Sequence, residues 1–119
     1  KESDCPKTSK SIVLATDPSR LALFQKIGVN MVQTANNHFY DCGSVLAEKS
    51  GKIFSEYGME SAGMNRSGDL SIIKKEIHGL KLAFVSLNDV DMKIDTSKVE
   101  QELEKLKKDG YLITVNIHW

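Results

Sequence analysis

Thr34-Ala-Asn-Asn-His-Phe-Tyr-Asp-Cys-Gly43 is the stretch on which the reading of this chain turns. It follows Val29-Asn-Met-Val-Gln-Thr-Ala35, a short apolar-rich run that reads as a strand, and it precedes a helix opening at Gly43-Ser44. A polar loop that leaves a strand and enters a helix is a repeating unit of α/β folds. Between Asn36 and Cys42 the loop carries two carboxamides, an imidazole, a phenol, a carboxylate and a thiol. No other segment is as dense in side chains capable of chemistry.

On the amino-terminal side, Asp17-Pro18 marks a helix start. Aspartate caps the free N–H groups, and proline fits the first helical position, where no donor is needed. Leu21, Phe24 and Ile27 then fall on one face, and Gly28 stops the helix. Residues 1–11 read as a loop or extended edge segment. On the carboxyl side, Leu46, Ile53 and Tyr57 form the stripe of a second helix, which Gly51 weakens and Gly58 ends. Met59–Ala62 reads as a short strand and Gly63–Asp69 as a loop. Leu70–Ile77 and Leu80–Leu87 are β-type runs around His78-Gly79, which predicts a hairpin with an exposed His78 at its tip. The second run lacks alternation, as expected of a strand covered on both faces. Ser97-Lys-Val-Glu100 fits a capping box for a third helix with Val99, Leu103 and Leu106 inward. Gly110 closes that helix, and Tyr111–Trp119 reads as a buried strand. The order of elements is α/β, with a mixed sheet and flanking helices.

The 119 residues amount to one domain by length. Sixteen basic and sixteen acidic residues cancel, so no global positive field points to nucleic acid as a partner. No apolar run approaches the roughly 18 residues of a membrane span. The polar start without Met and the strand-like end lead us to expect an excerpt of a longer polypeptide. Cys5 and Cys42 are too few for a disulfide framework. They either form one bridge or stay reduced, and for Cys42 the expectation is a free, buried thiol.

Ligands in α/β sheets gather beyond the carboxyl ends of parallel strands. Asn36-Asn37-His38 leaves one strand and His118 ends another. If the two strands are parallel neighbours, Asn37, His38 and His118 converge at one sheet edge. Imidazole nitrogen and carboxamide oxygen suit a divalent metal, but a two-metal hydrolytic centre needs more ligands. Asp41, Asp89 and Asp91 qualify by composition alone. The plainer alternatives are that Asn-Asn-His satisfies backbone groups in a turn, and that His118 is a hydrogen-bonded core histidine. Gly63-Met-Asn-Arg-Ser-Gly68 lacks phosphate-loop spacing.

Ala35-Asn-Asn-His38 followed by Asp41 and Gly43 resembles the "ANNHxxDxG" segment of the bacterial CapA capsule-synthesis family, linked to poly-gamma-glutamate. Gly28-Val-Asn30, Ser61-Ala-Gly63, Gly79-Leu-Lys-Leu-Ala-Phe84 and Asn116-Ile-His-Trp119 resemble further family segments in the same order. The resemblance implies residues 1–119 as a single partial domain of metallophosphatase-like fold, an α/β/β/α sandwich. It implies Asn37 and His118 as ligands of divalent manganese, iron or zinc. His38 becomes the catalytic proton donor or stabiliser at a phosphoryl oxygen, with Asn36 and Asp41 in support and Asp41 orienting His38. Phe39 departs from the wider phosphoesterase pattern, where an acidic residue is common, and other family ligand motifs lie outside this chain. The implied partners are an anionic polymer or phosphoester substrate, and the rest of the domain or another chain covering an exposed sheet edge. The implied setting is the bacterial cell envelope, with a non-catalytic polymer-binding or assembly role as the rival to metal-dependent phosphoester hydrolysis.

Overall fold

The structure, a computed structural model, describes Cys5 and residues 12–63, 70–90 and 93–119. The expected loops at residues 1–11 and 64–69, and Asp91, lie outside the described residues apart from Cys5. The elements in order are a 3₁₀ turn Pro18–Arg20, α1 Leu21–Lys26, β1 Met31–Gln33, α2 Ser44–Glu56, β2 Glu60–Ala62, β3 Ile72–Ile77, β4 Leu80–Asn88, α3 Thr96–Lys108 and β5 Leu112–His118. The class is α/β, as expected. No helix among the described residues is long and apolar enough to cross a membrane.

The three helices end in the same way. After α1 the Gly28 N–H donates to the Gln25 carbonyl and the Val29 N–H to that of Phe24. The same pair of bonds recurs at Gly58 and Met59 after α2, and at Gly110 and Tyr111 after α3. This is the Schellman arrangement, in which glycine takes a left-handed conformation and the next, apolar residue turns back over the helix. Each stop leads the chain towards the following strand, which is why glycine before an apolar run was a dependable signal. At the other end Asp17 accepts from the Ser19 N–H at 3.0 Å, as read from the sequence. The cap of α3 differs. Asp95, not Ser97, accepts the Lys98 N–H at 3.1 Å, so Ser97 lies within the helix. Aspartate two residues upstream is an equally good cap, and it starts α3 two residues earlier.

The chain divides into two compact units, one made of Lys1–Val32 and Asn37–Ser61, the other of Gln33–Asn36 and Ala62–Trp119. β1 and β2 form a two-stranded sheet. Glu60 N–H to Asn30 carbonyl and Thr34 N–H to Ala62 carbonyl ascend together along both segments, the order of a parallel pair joined by a crossover helix, here α2. In the second unit the sheet order is β3-β4-β5. β3 and β4 are antiparallel with Ile77 opposite Leu80, so the hairpin loop is His78-Gly79. Both loop residues have positive φ, 50° and 80°, the geometry that matches a two-residue turn to strand twist.

β4 and β5 are parallel, joined through α3. Ala83, Val85 and Leu87 on one face of β4 pack with Leu106 of α3 into a buried cluster, and Val99, Leu103, Tyr111 and Ile113 close around it. The expectation of a buried last strand is corrected. Leu112, Val115 and Ile117 are 66%, 39% and 46% exposed, because β5 is an edge strand and α3 shields only Ile113 of its apolar row. Phe24 on α1 and Ile27 just after it are likewise exposed, so these two apolar residues are not covered among the described residues.

Candidate functional site

The loop after β1 is built from two consecutive tight turns. Asp41 N–H donates to the His38 carbonyl at 3.1 Å, and Gly43 N–H to the Tyr40 carbonyl at 2.9 Å. The first turn brings the Asp41 side chain back over His38. Asp41 Oδ2 lies 2.7 Å from His38 Nδ1, and the same oxygen accepts the Leu14 N–H at 3.1 Å. The carboxylate side chain is 1% exposed and the imidazole 30% exposed. A carboxylate only accepts, so Nδ1 carries the proton of this bond, and the ring's orientation is set by a buried anchor. Nε2 is the ring nitrogen on the side away from this bond. Phe39 and Tyr40 stack edge to face with centroids 5.2 Å apart.

Gly43, with φ 88°, leads directly into α2, so the loop ends where the helix begins. Cys42, next to Asp41, forms a disulfide with Cys5, with Cα atoms 4.9 Å apart. The expectation of a free, buried Cys42 is therefore corrected. Its partner is 37 positions away, and spacing along the chain carries no record of that pairing.

Asn36 and Asn37 fall on either side of a unit boundary. Asn36 belongs with Thr34, to whose carbonyl its N–H donates at 2.9 Å, and Asn37 belongs with His38 and Asp41. Thr34 gives both its N–H and its hydroxyl to the Ala62 carbonyl, at 2.7 and 3.2 Å. Gly63 packs against this segment so closely that an added Cβ would sit 2.9 Å from the Ala35 nitrogen and 3.0 Å from the Thr34 carbonyl carbon. Glycine is required here by close backbone approach.

His118 lies at the carboxyl end of the parallel pair. It stands opposite Asn88 in the ladder, and its carbonyl accepts the Asp89 N–H at 2.9 Å. Asp89 Oδ1 accepts the Ile94 N–H, and Asn88 Oδ1 the Val90 N–H, both at 3.1 Å. β1 pairs with β2 and β5 with β4, so the strands that precede Asn37 and end at His118 belong to different sheets. Among the described residues the ladders therefore do not make these two strands neighbours. Asn88 and the Leu14 N–H were not singled out from sequence. Asn88 had a signal, the end of an apolar run before Asp89, while a backbone donor has none.

Among the described residues no group of three or more His, Cys, Asp or Glu side chains is placed to hold a metal ion. His38 Nδ1 is committed to Asp41. The described residues alone therefore do not make up a dinuclear metal centre.

Comparison with known proteins gives one family. The family described as bacterial capsule synthesis protein PGA_cap matches residues 1–119. No curated protein matches. No solved structure matches.

Proposed function

The chain belongs to the PGA_cap family of bacterial capsule synthesis proteins, and we propose that within capsule synthesis it acts on an anionic envelope polymer or its phosphoester precursor through His38. The role in capsule synthesis and the metallophosphatase-like α/β class follow from the family. The choice of substrate and the phosphoester chemistry are our reading. The observation that carries it is the His38–Asp41 pair, 2.7 Å apart with the carboxylate buried.

A histidine held at Nδ1 by a buried carboxylate presents Nε2 in one direction, the arrangement general acid–base chemistry requires. In its protonated form Nε2–H donates to a phosphoryl or carboxylate oxygen, and Asp41 keeps the ring from turning away. Asn37, adjacent in the same loop, supplies a carboxamide to the same ligand group. Asn36 supports the loop through its backbone bond to Thr34. His118, with Asn88 and Asp89 beside it, offers a second polar strand exit in the other unit. We propose separately for Asn37 and for His118 that each helps to bind divalent manganese, iron or zinc together with ligands from outside the described residues.

The test is turnover of an aryl phosphate by full-length protein, with each of those metals added. His38→Ala is expected to lower the rate by about 10²- to 10⁴-fold, the usual contribution of a positioned acid or base. Elemental analysis of the same protein, and of Asn37→Ala and His118→Ala, reads metal content directly. Wild-type protein that binds poly-gamma-glutamate without any turnover would remove the enzymatic reading and leave a polymer-binding role.

A further inference from the structure

We infer that the Cys5–Cys42 bridge is a redox-sensitive positioning device for His38. The amino-terminal segment is attached to the signature loop at two adjacent residues. Cys5 is bonded to Cys42, and the Leu14 N–H donates to Asp41 Oδ2. That same oxygen holds His38 Nδ1. The bridge therefore presents a donor, the Leu14 N–H, to the carboxylate that orients the imidazole.

Leu14 and Asp41 are 27 positions apart along the chain. Through the bridge the covalent path from Leu14 to Asp41 runs by way of Cys5 and Cys42 and is shorter, about ten residues, so the bridge favours the Leu14–Asp41 bond. Reduction removes the advantage. A dithiol attacks one bridge sulfur through a mixed disulfide and passes two electrons to the bridge. Cys5 and Cys42 leave as thiols with the two protons, and the reductant closes its own disulfide. The bridge persists only where thiols are kept oxidised, so the ordered loop is a property of an oxidising compartment. The coupling is reciprocal, so whatever removes the Leu14 donor also makes the bridge easier to reduce.

The consequence for turnover rests on the His38 role proposed above, but the coupling itself is read without turnover. In full-length protein the ¹⁵N ring shifts of His38 report which nitrogen carries the proton. The bridged protein is expected to show protonated Nδ1, and the dithiol-reduced protein a mixture shifted towards the Nε2–H form. Leu14→Pro removes the N–H while the bridge stays intact, and the Leu14 side chain is 63% exposed, so little packing is lost. This variant is expected to shift the His38 signature in the same direction. Its bridge should be half-reduced at a lower dithiol-to-disulfide ratio than wild type, as linkage requires. An unchanged His38 signature in reduced, folded protein would overturn the inference. Where reduction unfolds the chain, the bridged Leu14→Pro protein decides, and a wild-type signature there overturns it equally. A His38→Ala protein with undiminished turnover sinks the catalytic reading alone.

Discussion

The signature loop and the β3-β4-β5 unit are held in different ways. The bonds that fix the loop include discrete ones: the Cys5–Cys42 bridge, the shared Asp41 oxygen and two backbone turns. The β unit relies on ladders and a cluster in which Ala83, Val85, Leu87 and Leu106 are each 3% exposed or less. Distributed packing tolerates the loss of one contact, because many others share the load. A loop fixed by discrete bonds loses orientation when one is cut. That is a poor way to store stability, and a direct way to aim one side chain.

The contrast can be broken by substitution. Replacing both cysteines by serine opens a 37-position closure worth about 4 kcal/mol in the chain-entropy account. Hydrogen exchange should rise more across residues 37–43 than in β4; equal loss in both regions would remove the distinction. Leu106→Ala should cost about 3 kcal/mol, as large-to-small changes at fully buried sites do. Calorimetry should show it, with exchange rising in β4 and β5 while the His38 ring signature stays as in wild type. Gly63→Ala forces a Cβ against the Thr34–Ala35 backbone and should cost about 2 kcal/mol, in the range of overpacked sites. A denaturant midpoint unchanged by that substitution would mean that the close approach is relieved without cost. Asp95→Ala removes the cap of α3 and should cost about 1 kcal/mol, whereas Ser97→Ala should cost less, in a chemical melt comparing the two.

Much of the local architecture was legible. The glycine stops at 28, 58 and 110 were readable because helix termination depends on a residue's own backbone freedom and on its immediate neighbours. The His78-Gly79 hairpin was readable for the same reason. The contact of Asp41 with His38 spans three residues and lies within reach of a single turn. The capping box at Ser97 misled because two good cap residues compete within one turn, and only the backbone of the formed helix chooses between them.

The signature residues, the α/β order and the family were present in the linear sequence, since motif spacing and apolar runs are properties of neighbours along the chain. The pairing of Cys5 with Cys42, the Leu14 donor on Asp41, the exposure of β5 and the separate strand partners of Asn37 and His118 were decided by tertiary structure alone. Each joins or uncovers groups far apart in sequence. Which distant groups meet depends on how whole elements pack and on the chain entropy of bringing them together, and neither is recorded in any local pattern.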